Sequence, residues 1–336
     1  MHKKRKALAL ISGGLDSLLA AKVMLEQGLV VEGINFYSGF FGEGSGVTSA
    51  RKQRKNQSSQ GAAWIAHELN IPLHVIDVVE AFKPIVAHPR HGYGSQLNPC
   101  LDCKIFIVNH ALAFARENGF DFLVSGEVLG QRPMSQLKRH LPMVQKQSGA
   151  EDLLLRPLSA KCLPPTLPER EGWVDREKLY DFTGRGRRPQ IALAQQFGFK
   201  TFPQPAGGCW LTEEVFAERL RDFWQARGDH GYQERDIQLL KVARHIRLKP
   251  GLKVIIGRDE VDNEYLERYK NHFIYAQCVD ELGPLVLIDG VMQEEDFQTV
   301  ANLVARYSRS KGEKSLSIQF QFPDRAGQVV MSGSSR

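Results

Sequence analysis

The run Ala7-Leu8-Ala9-Leu10-Ile11-Ser12-Gly13-Gly14-Leu15-Asp16-Ser17 sets the fold class of this chain. Residues 7–11 are apolar and suit a short buried strand. Small polar residues then break the strand, and an amphipathic helix is predicted from about residue 17 to 26, ended by Gly28 as a C-cap would end it. A strand, a tight turn and a helix in that order aim consecutive backbone N–H groups outward. The helix dipole adds partial positive charge, so an anion is the natural occupant of the turn. Gly13 and Gly14 let backbone approach phosphate oxygens, and Ser12 and Ser17 bring hydroxyls. Asp16 is unwelcome beside phosphate unless a cation intervenes, which suggests Mg²⁺ carried in with a nucleotide. Two commoner phosphate loops are excluded. No lysine sits where a Walker A loop needs one, and the later third glycine of the dinucleotide fingerprint is missing.

Working outward, further strands are predicted over residues 30–36, 72–78 and 120–125. Between them lie a loop with Gly39, Gly42, Gly44 and Gly46, a basic helix over 48–69, a Pro/Gly/His-rich loop over 88–98 and a helix over 104–117. Strands separated by helical crossovers make an α/β fold with a parallel sheet covered on both faces, where ligands bind beyond the carboxyl ends at the point of strand-order reversal. Residues 157–205 are rich in proline, glycine and arginine, with modest helices expected over 176–180 and 189–197. A stronger helix over 213–227 has Thr212 as its candidate N-cap. Composition turns polar over 228–236, so the expected domains are 1–230 and 237–328. The second is a small α+β module with strands over 254–256, 285–288 and 317–322 and helices over 262–270 and 294–307; residues 328–336 look frayed.

The chain has 336 residues, 42% of them hydrophobic and 24% charged, which is globular composition. Its apolar runs are strand length, far short of the ~20 residues of a membrane helix. The basic start Met-His-Lys-Lys-Arg-Lys leads into only five apolar residues, where a signal peptide needs about 7–15. A membrane protein, a secreted precursor and a disordered chain are therefore not expected, and a cytoplasmic location is. Five cysteines in such a chain point to metal or redox chemistry rather than a disulfide framework. The net charge of +6, with basic clusters at 3–6, 51–55, 138–140 and 185–188, leans toward a nucleic-acid partner.

Residues 12–17 resemble the Ser-Gly-Gly-x-Asp-Ser signature of the PP-loop ATP pyrophosphatases, which adenylate an oxygen of their substrate and let a nucleophile displace AMP. The resemblance implies a HUP/adenine-nucleotide alpha hydrolase-like sheet of five parallel strands. Its crevice would lie between the first and fourth strands, where the loop should meet Ser125-Gly126-Glu127. Ser12, Gly13, Gly14, Asp16 and Ser17 would hold the pyrophosphate part of ATP, with Asp16 on Mg²⁺. Residues 125–136, Ser-Gly-Glu-Val-Leu-Gly-Gln-Arg-Pro-Met-Ser-Gln, resemble a segment of the 4-thiouridine synthase branch, which adds Gly126, Gln131 and Arg132 to the expected ATP site.

Asn98-Pro99-Cys100-Leu101-Asp102-Cys103-Lys104 precedes a helix, whose positive end is expected to lower the thiol pKa values. Pro205-Ala206-Gly207-Gly208-Cys209 presents another thiol after a glycine turn. This layout resembles the RNA 2-thiouridylases, implying Cys103 and Cys209 as the catalytic pair. The extra thiol at Cys100 departs from that pair and resembles the three-cysteine members that hold a [4Fe–4S] cluster. Three readings stand, in this order: a cluster on Cys100, Cys103 and Cys209; a persulfide pair; and zinc held with Cys162 or a histidine. Cys162 and Cys278 are otherwise expected to be ordinary residues.

Gly257-Arg258-Asp259-Glu260-Val261-Asp262-Asn263 resembles a motif of the NFACT-R RNA-binding domain, which implies RNA contacts from Arg258 and Asn263, with His245, Arg247 and Lys249 nearby. Together the resemblances imply an ATP-dependent tRNA sulfurtransferase. Its partners would be tRNA and a sulfur-donor protein or hydrosulfide, with no membrane association.

Overall fold

The computed structural model describes residues 4–40, 61–203, 209–229, 231–308, 315–323 and 328–334. The apolar runs become strands as expected: β1 (Lys6–Leu10), β2 (Val30–Tyr37), β3 (Leu73–Asp77) and β4 (Phe122–Ser125). A two-residue β5 (Leu154–Leu155) completes the sheet; it is too short for periodicity to announce. The sheet order is β3-β2-β1-β4-β5, and every pairing is parallel. From β1 the chain first builds outward through β2 and β3, then returns to the opposite side of β1 as β4. Strand order therefore reverses between β1 and β4, the place where such sheets bind ligands.

Among the described residues up to 203 the α-helices are α1 (Leu15–Glu26), α2 (Ala62–Leu69), α3 (Val79–Ala87), α4 (Cys100–Glu117), α5 (His140–Ser148), α6 (Leu167–Arg170) and α7 (Arg188–Gln196). Of the basic helix expected over 48–69, α2 is the described part; Gly42, Gly44, Gly46 and the cluster at 51–55 lie outside the described residues. α1 buries Leu15, Leu18, Leu19, Val23 and Met24 around most of its circumference, because it packs both on the sheet and against α2 and α7. Gly28 ends it with φ +78°.

Two compact units divide the chain, Met1–Ala217 and Glu218–Arg336. The division falls inside α8 (Glu214–Arg227), earlier than the polar stretch at 228–236. Side chains after the division explain this. Arg219 donates to the carbonyls of Leu240, Val242 and Ala243, Asp222 pairs with Arg247 and Lys253, and Arg227 pairs with Asp289. Thr212 does not cap α8. It lies in a 3-10 turn, and its hydroxyl donates to the Cys209 carbonyl at 2.6 Å.

The second unit contains α9 (Glu234–Leu240), β6 (Arg244–Lys249), β7 (Leu252–Ile256), α10 (Glu260–Glu267), β8 (Ile274–Cys278), β9 (Val286–Gly290), α11 (Glu294–Tyr307), β10 (Leu316–Gln321) and β11 (Gln328–Gly333). Its antiparallel sheet has the order β11-β10-β8-β9-β7-β6. Alternate residues of β7 serve two cores. Leu252, Val254 and Ile256 face the core that α11 covers, while Ile255 joins Leu239, Leu266 and Phe273 in the other. β11 corrects the expectation of a frayed end: it pairs with β10 over its whole length, and its alternation is too weak to read without that partner.

Candidate functional site

Ser12, Gly13 and Gly14 leave β1 and turn into α1. Gly13 takes φ +82°, and a Cβ there would lie 3.1 Å from the Cα of Gly61, so backbone conformation and space both demand glycine. Ser17 is spent inside the loop. Its hydroxyl donates to the Gly14 carbonyl at 2.8 Å and accepts the Ser12 N–H at 3.3 Å, bracing the turn rather than reaching outward. The amides of Gly13, Gly14, Leu15 and Asp16 make no hydrogen bond among the described residues, which leaves the donors that an anion needs.

The segment after β4 closes on this loop. A Cβ on Gly126 would lie 2.5 Å from the carbonyl carbon and oxygen of Asp16 and 2.6 Å from the Ser17 nitrogen. Gln131, from the same segment, donates its amide to Asp16 Oδ2 at 2.6 Å. The other carboxylate oxygen, Asp16 Oδ1, is buried without a hydrogen-bond partner among the described residues. A buried anionic oxygen left bare beside free amides is suited to a cation that accompanies a polyphosphate. The loop, Gly126 and Gln131 thus come together as expected. Arg132, next in the same segment, is exposed, and its backbone N–H is held by Gln136 at 3.1 Å.

Next to Gly126 lies an ionic cluster. Glu127 and Arg156, both 2% exposed, pair at 3.0 Å; Ser125 donates to the same carboxylate oxygen at 3.2 Å, and Lys104 approaches the other at 3.7 Å. Burial pushes the Glu127 carboxyl up, but Lys104 and Arg156 outweigh it and hold it below the ordinary range. Arg156 Nη2 and Glu127 Oε1 have no hydrogen-bond partner among the described residues. Arg156 went unread in the sequence, although an arginine directly after Leu153-Leu154-Leu155 is the kind of signal that marks a charged strand end. Gln190, which donates to Gln131 Oε1 at 2.8 Å, gave no signal, being one polar residue of a polar helix.

The cysteines gather near this cluster. Cys100 opens α4 and donates to Ser135 Oγ at 3.3 Å, and Cys209 donates to the Phe40 carbonyl at 3.4 Å. Asp102, between the first two thiols, accepts both the backbone N–H of His91 and its ring nitrogen, tying down the preceding loop. The glycine turn before Cys209 lies outside the described residues. Helix-terminus position was expected to lower the thiol pKa values; for Cys103 the structure gives the reverse. Burial raises it well above the ordinary value, Cys100 and Cys209 add to the rise, and Lys104 only partly opposes them. Cys100 and Cys103 share the first turn of α4, and the charge of Cys209 is felt at Cys103. Cys162 donates to the Asp181 carbonyl and Cys278 lies on β8, in the other unit. Among the described residues no three His, Cys, Asp or Glu side chains are disposed to share a metal ion, and this bears on the cluster and the zinc readings alike.

In the second unit, the residues expected to touch RNA are engaged in the fold. Asn263 donates to the Gly283 carbonyl at 3.2 Å and accepts the Leu285 N–H at 3.0 Å, clamping the loop before β9. Arg258 is held by Asp262 at 2.6 Å, Arg247 by Asp222, and Lys249 by Asp296. His245 is turned inward against the carbonyls of Leu239 and Val242; burial, with Arg219 and Lys253 nearby, keeps it neutral well below the usual histidine range.

Residues 3–161 match the family model described as thiamine biosynthesis protein (ThiI), and residues 243–333 match the NFACT protein RNA binding domain. A curated relative, the tRNA-specific 2-thiouridylase 1 of Syntrophus aciditrophicus, is 31% identical over 233 residues, covering 67% of this chain and 56% of that protein. The tRNA-specific 2-thiouridylase of Syntrophotalea carbinolica is 33% identical over 132 residues, 37% of this chain and 35% of that one. The chain thus spans from about a third to just over half the length of these relatives. A solved 4-thiouridine synthetase–RNA complex with bound ATP is similar at 18% identity and a TM-score of 0.35, covering 70% of this chain and 52% of that one.

Proposed function

We propose that this chain, which joins a ThiI-type PP-loop domain to an NFACT-R-type RNA-binding domain, is an ATP-dependent tRNA sulfurtransferase acting on a uridine. The observation that carries the reading is the closure of Gly126 and Gln131 onto a loop whose amides, and one buried oxygen of Asp16, have no partner among the described residues. ATP seats its polyphosphate on that loop. Asp16 would hold the Mg²⁺ that accompanies ATP, and that ion would supply charge neutralisation on the phosphates. The uracil carbonyl oxygen attacks the α-phosphorus, the bond to the β-phosphate oxygen breaks, and pyrophosphate leaves. Loop amides stabilise the charge that develops on it. The adenylated uridine is then open to sulfur, which adds to the ring carbon and expels AMP.

Sulfur is supplied at Cys100, Cys103 and Cys209. Thiols are the soft ligands a [4Fe–4S] cluster takes, and a cluster held by them would supply an open iron for hydrosulfide, but the three are not disposed to share a metal as they stand among the described residues. A persulfide on Cys103 or Cys209, loaded by a donor protein, is the alternative that iron and labile-sulfide analysis of anaerobically purified protein separates. The NFACT-R domain contributes RNA affinity. The described residues contain no helix long and apolar enough to cross a membrane, and the reading places the reaction in the cytoplasm.

The test is direct. Purified protein given Mg²⁺, ATP, sulfide and unmodified tRNA should release AMP and pyrophosphate and yield a thionucleoside by mass spectrometry, and Asp16→Asn should abolish both. ATP cleavage indifferent to Asp16→Asn, or tRNA that gains no sulfur, overturns the reading.

A further inference from the structure

Outside the residues matched by the ThiI model, α7 sends one side chain into the loop site. Gln190 is 1% exposed and donates to Gln131 Oε1 at 2.8 Å; Gln131, 7% exposed, donates to Asp16 Oδ2 at 2.6 Å. Hydrogen-bond polarity fixes this order. An ionised carboxylate only accepts, so Gln131 must turn its NH₂ toward Asp16, which leaves its carbonyl oxygen facing Gln190. Gln190 must then present its own NH₂. Each amide therefore has one workable orientation, set by the acid at the end of the row. Only one oxygen of Asp16 is engaged; Oδ1 remains without a partner among the described residues.

We propose that Gln190 is a positioning residue: through Gln131 it holds the Asp16 carboxylate by one oxygen and keeps the other presented to the cation of the nucleotide. The inference rests on the reading of Asp16 as a ligand of the Mg²⁺ that accompanies ATP. Gln190 touches neither metal nor nucleotide. It supplies the donor that stops the Gln131 amide from flipping, and a flipped Gln131 would set its oxygen against the carboxylate. The α7 helix is anchored independently of this relay, since Leu193 and Ala194 pack in the core with α1, so a substitution at Gln190 leaves the helix in place.

Two variants separate positioning from bulk structure. Gln190→Met keeps the shape and removes the donor. Gln190→Glu puts an acceptor where the donor must be, which favours the flipped Gln131. Pyrophosphate release is measured against Mg²⁺ at fixed ATP, together with thermal melting of each variant. The expected result is a rise in half-saturating Mg²⁺ of about three- to tenfold in Gln190→Met and more in Gln190→Glu, with kcat at saturating Mg²⁺ reduced less. The double variant Gln131→Met/Gln190→Met should lose little beyond Gln131→Met alone, because Gln190 acts only through Gln131. Asp16→Asn is run alongside. If it abolishes Mg²⁺-dependent cleavage while both Gln190 variants keep the native Mg²⁺ dependence, the positioning role is wrong and the site reading survives. A change in melting temperature alone, without a shift in Mg²⁺ dependence, also overturns the role. If Asp16→Asn cleaves normally, the site reading itself is refuted.

Discussion

Gly126→Ala tests the crevice with one carbon atom. The added Cβ would meet the Asp16 carbonyl at 2.5 Å, where ordinary contact begins near 3.4 Å, so the phosphate loop must retreat by about 0.9 Å. Nothing flexible can absorb this, because the atoms struck are backbone at the start of α1, and α1 is packed by the sheet and two helices. Overpacking against a rigid wall costs about 1–3 kcal/mol, which a domain of this size survives. Catalysis is less forgiving. A misplacement near 1 Å lowers a rate on the order of 10²-fold, so Gly126→Ala should fold, melt a few degrees lower and release pyrophosphate about a hundred times more slowly. Gly28→Ala is the control: it has φ +78° and no atom within 4 Å of its added Cβ, so it incurs only the left-handed strain, roughly 1 kcal/mol, at unchanged activity. The assay is pyrophosphate release under saturating ATP and tRNA, beside calorimetric melting. A Gly126→Ala protein with native kcat would refute the close approach on which the site depends.

Arg156→Met strands the buried Glu127 carboxylate with only Ser125 and the more distant Lys104, and should cost about 3 kcal/mol, or roughly 6–12 °C in the melting of the N-terminal unit. Because Glu127 is held below its ordinary 4.5 when folded, its contribution is complete above that value and is lost as pH falls through the lowered one. The gap between native and variant should therefore narrow in acid; an equal gap at pH 3.5 and pH 7 would contradict the pair. Cys103 should alkylate with iodoacetamide slowly at neutral pH, its rate still climbing beyond pH 9, and Cys209→Ser should shift that profile toward lower pH by removing a neighbour that raises it. A native profile that levels off below pH 8, read by peptide mass spectrometry, would rule the raised thiol out. Lys104→Met should push the Cys103 profile further up and slow sulfur incorporation several-fold while AMP formation continues; equal loss of both partial reactions would count against a cation that serves the thiol.

The nucleotide loop was legible because its chemistry is local. A strand end, two glycines, an acid and a helix start must be adjacent in sequence to act together, and residues 12–17 state all of them. Gly126 was legible for a related reason: a parallel sheet brings the end of β4 beside the end of β1, so topology supplies the contact. Arg156 and Gln190 depend on where β5 and α7 dock, and no neighbouring residue records that. The thiols show a subtler failure. For Cys103 the place at a helix start argued for easy ionisation, yet a helix end contributes less than burial among two other thiols. In the C-terminal module the motif around Arg258 and Asn263 was visible, but its sequence could not distinguish side chains that meet RNA from side chains that hold a loop. The Gly283 and Leu285 contacts of Asn263 are made across 20 and 22 residues, beyond any local pattern.

On the proposed function, the order of residues at the end of β4 bears on how two half-reactions run side by side. Gly126 touches the loop of residues 12–17, and the next residue, Glu127, is approached at 3.7 Å by Lys104, which follows Cys103 in α4. Adenylation needs the loop held still, whereas sulfur transfer needs thiols whose charge changes as sulfur is loaded and released. A buried carboxylate shared by Arg156 and Lys104 serves both demands. Lys104 and Arg156 together hold Glu127 ionised; Arg156, buried and 3.0 Å away, gives the carboxylate a second partner beside Lys104, which is 25% exposed at its side chain and lies 3.7 Å from the other oxygen. Were Lys104 the sole partner of Glu127, each change of charge at Cys103 would be felt at the phosphate loop. With Arg156 present the carboxylate keeps a buried cation at 3.0 Å beside the more distant Lys104, so a change at Cys103 reaches the loop through a shared partner only.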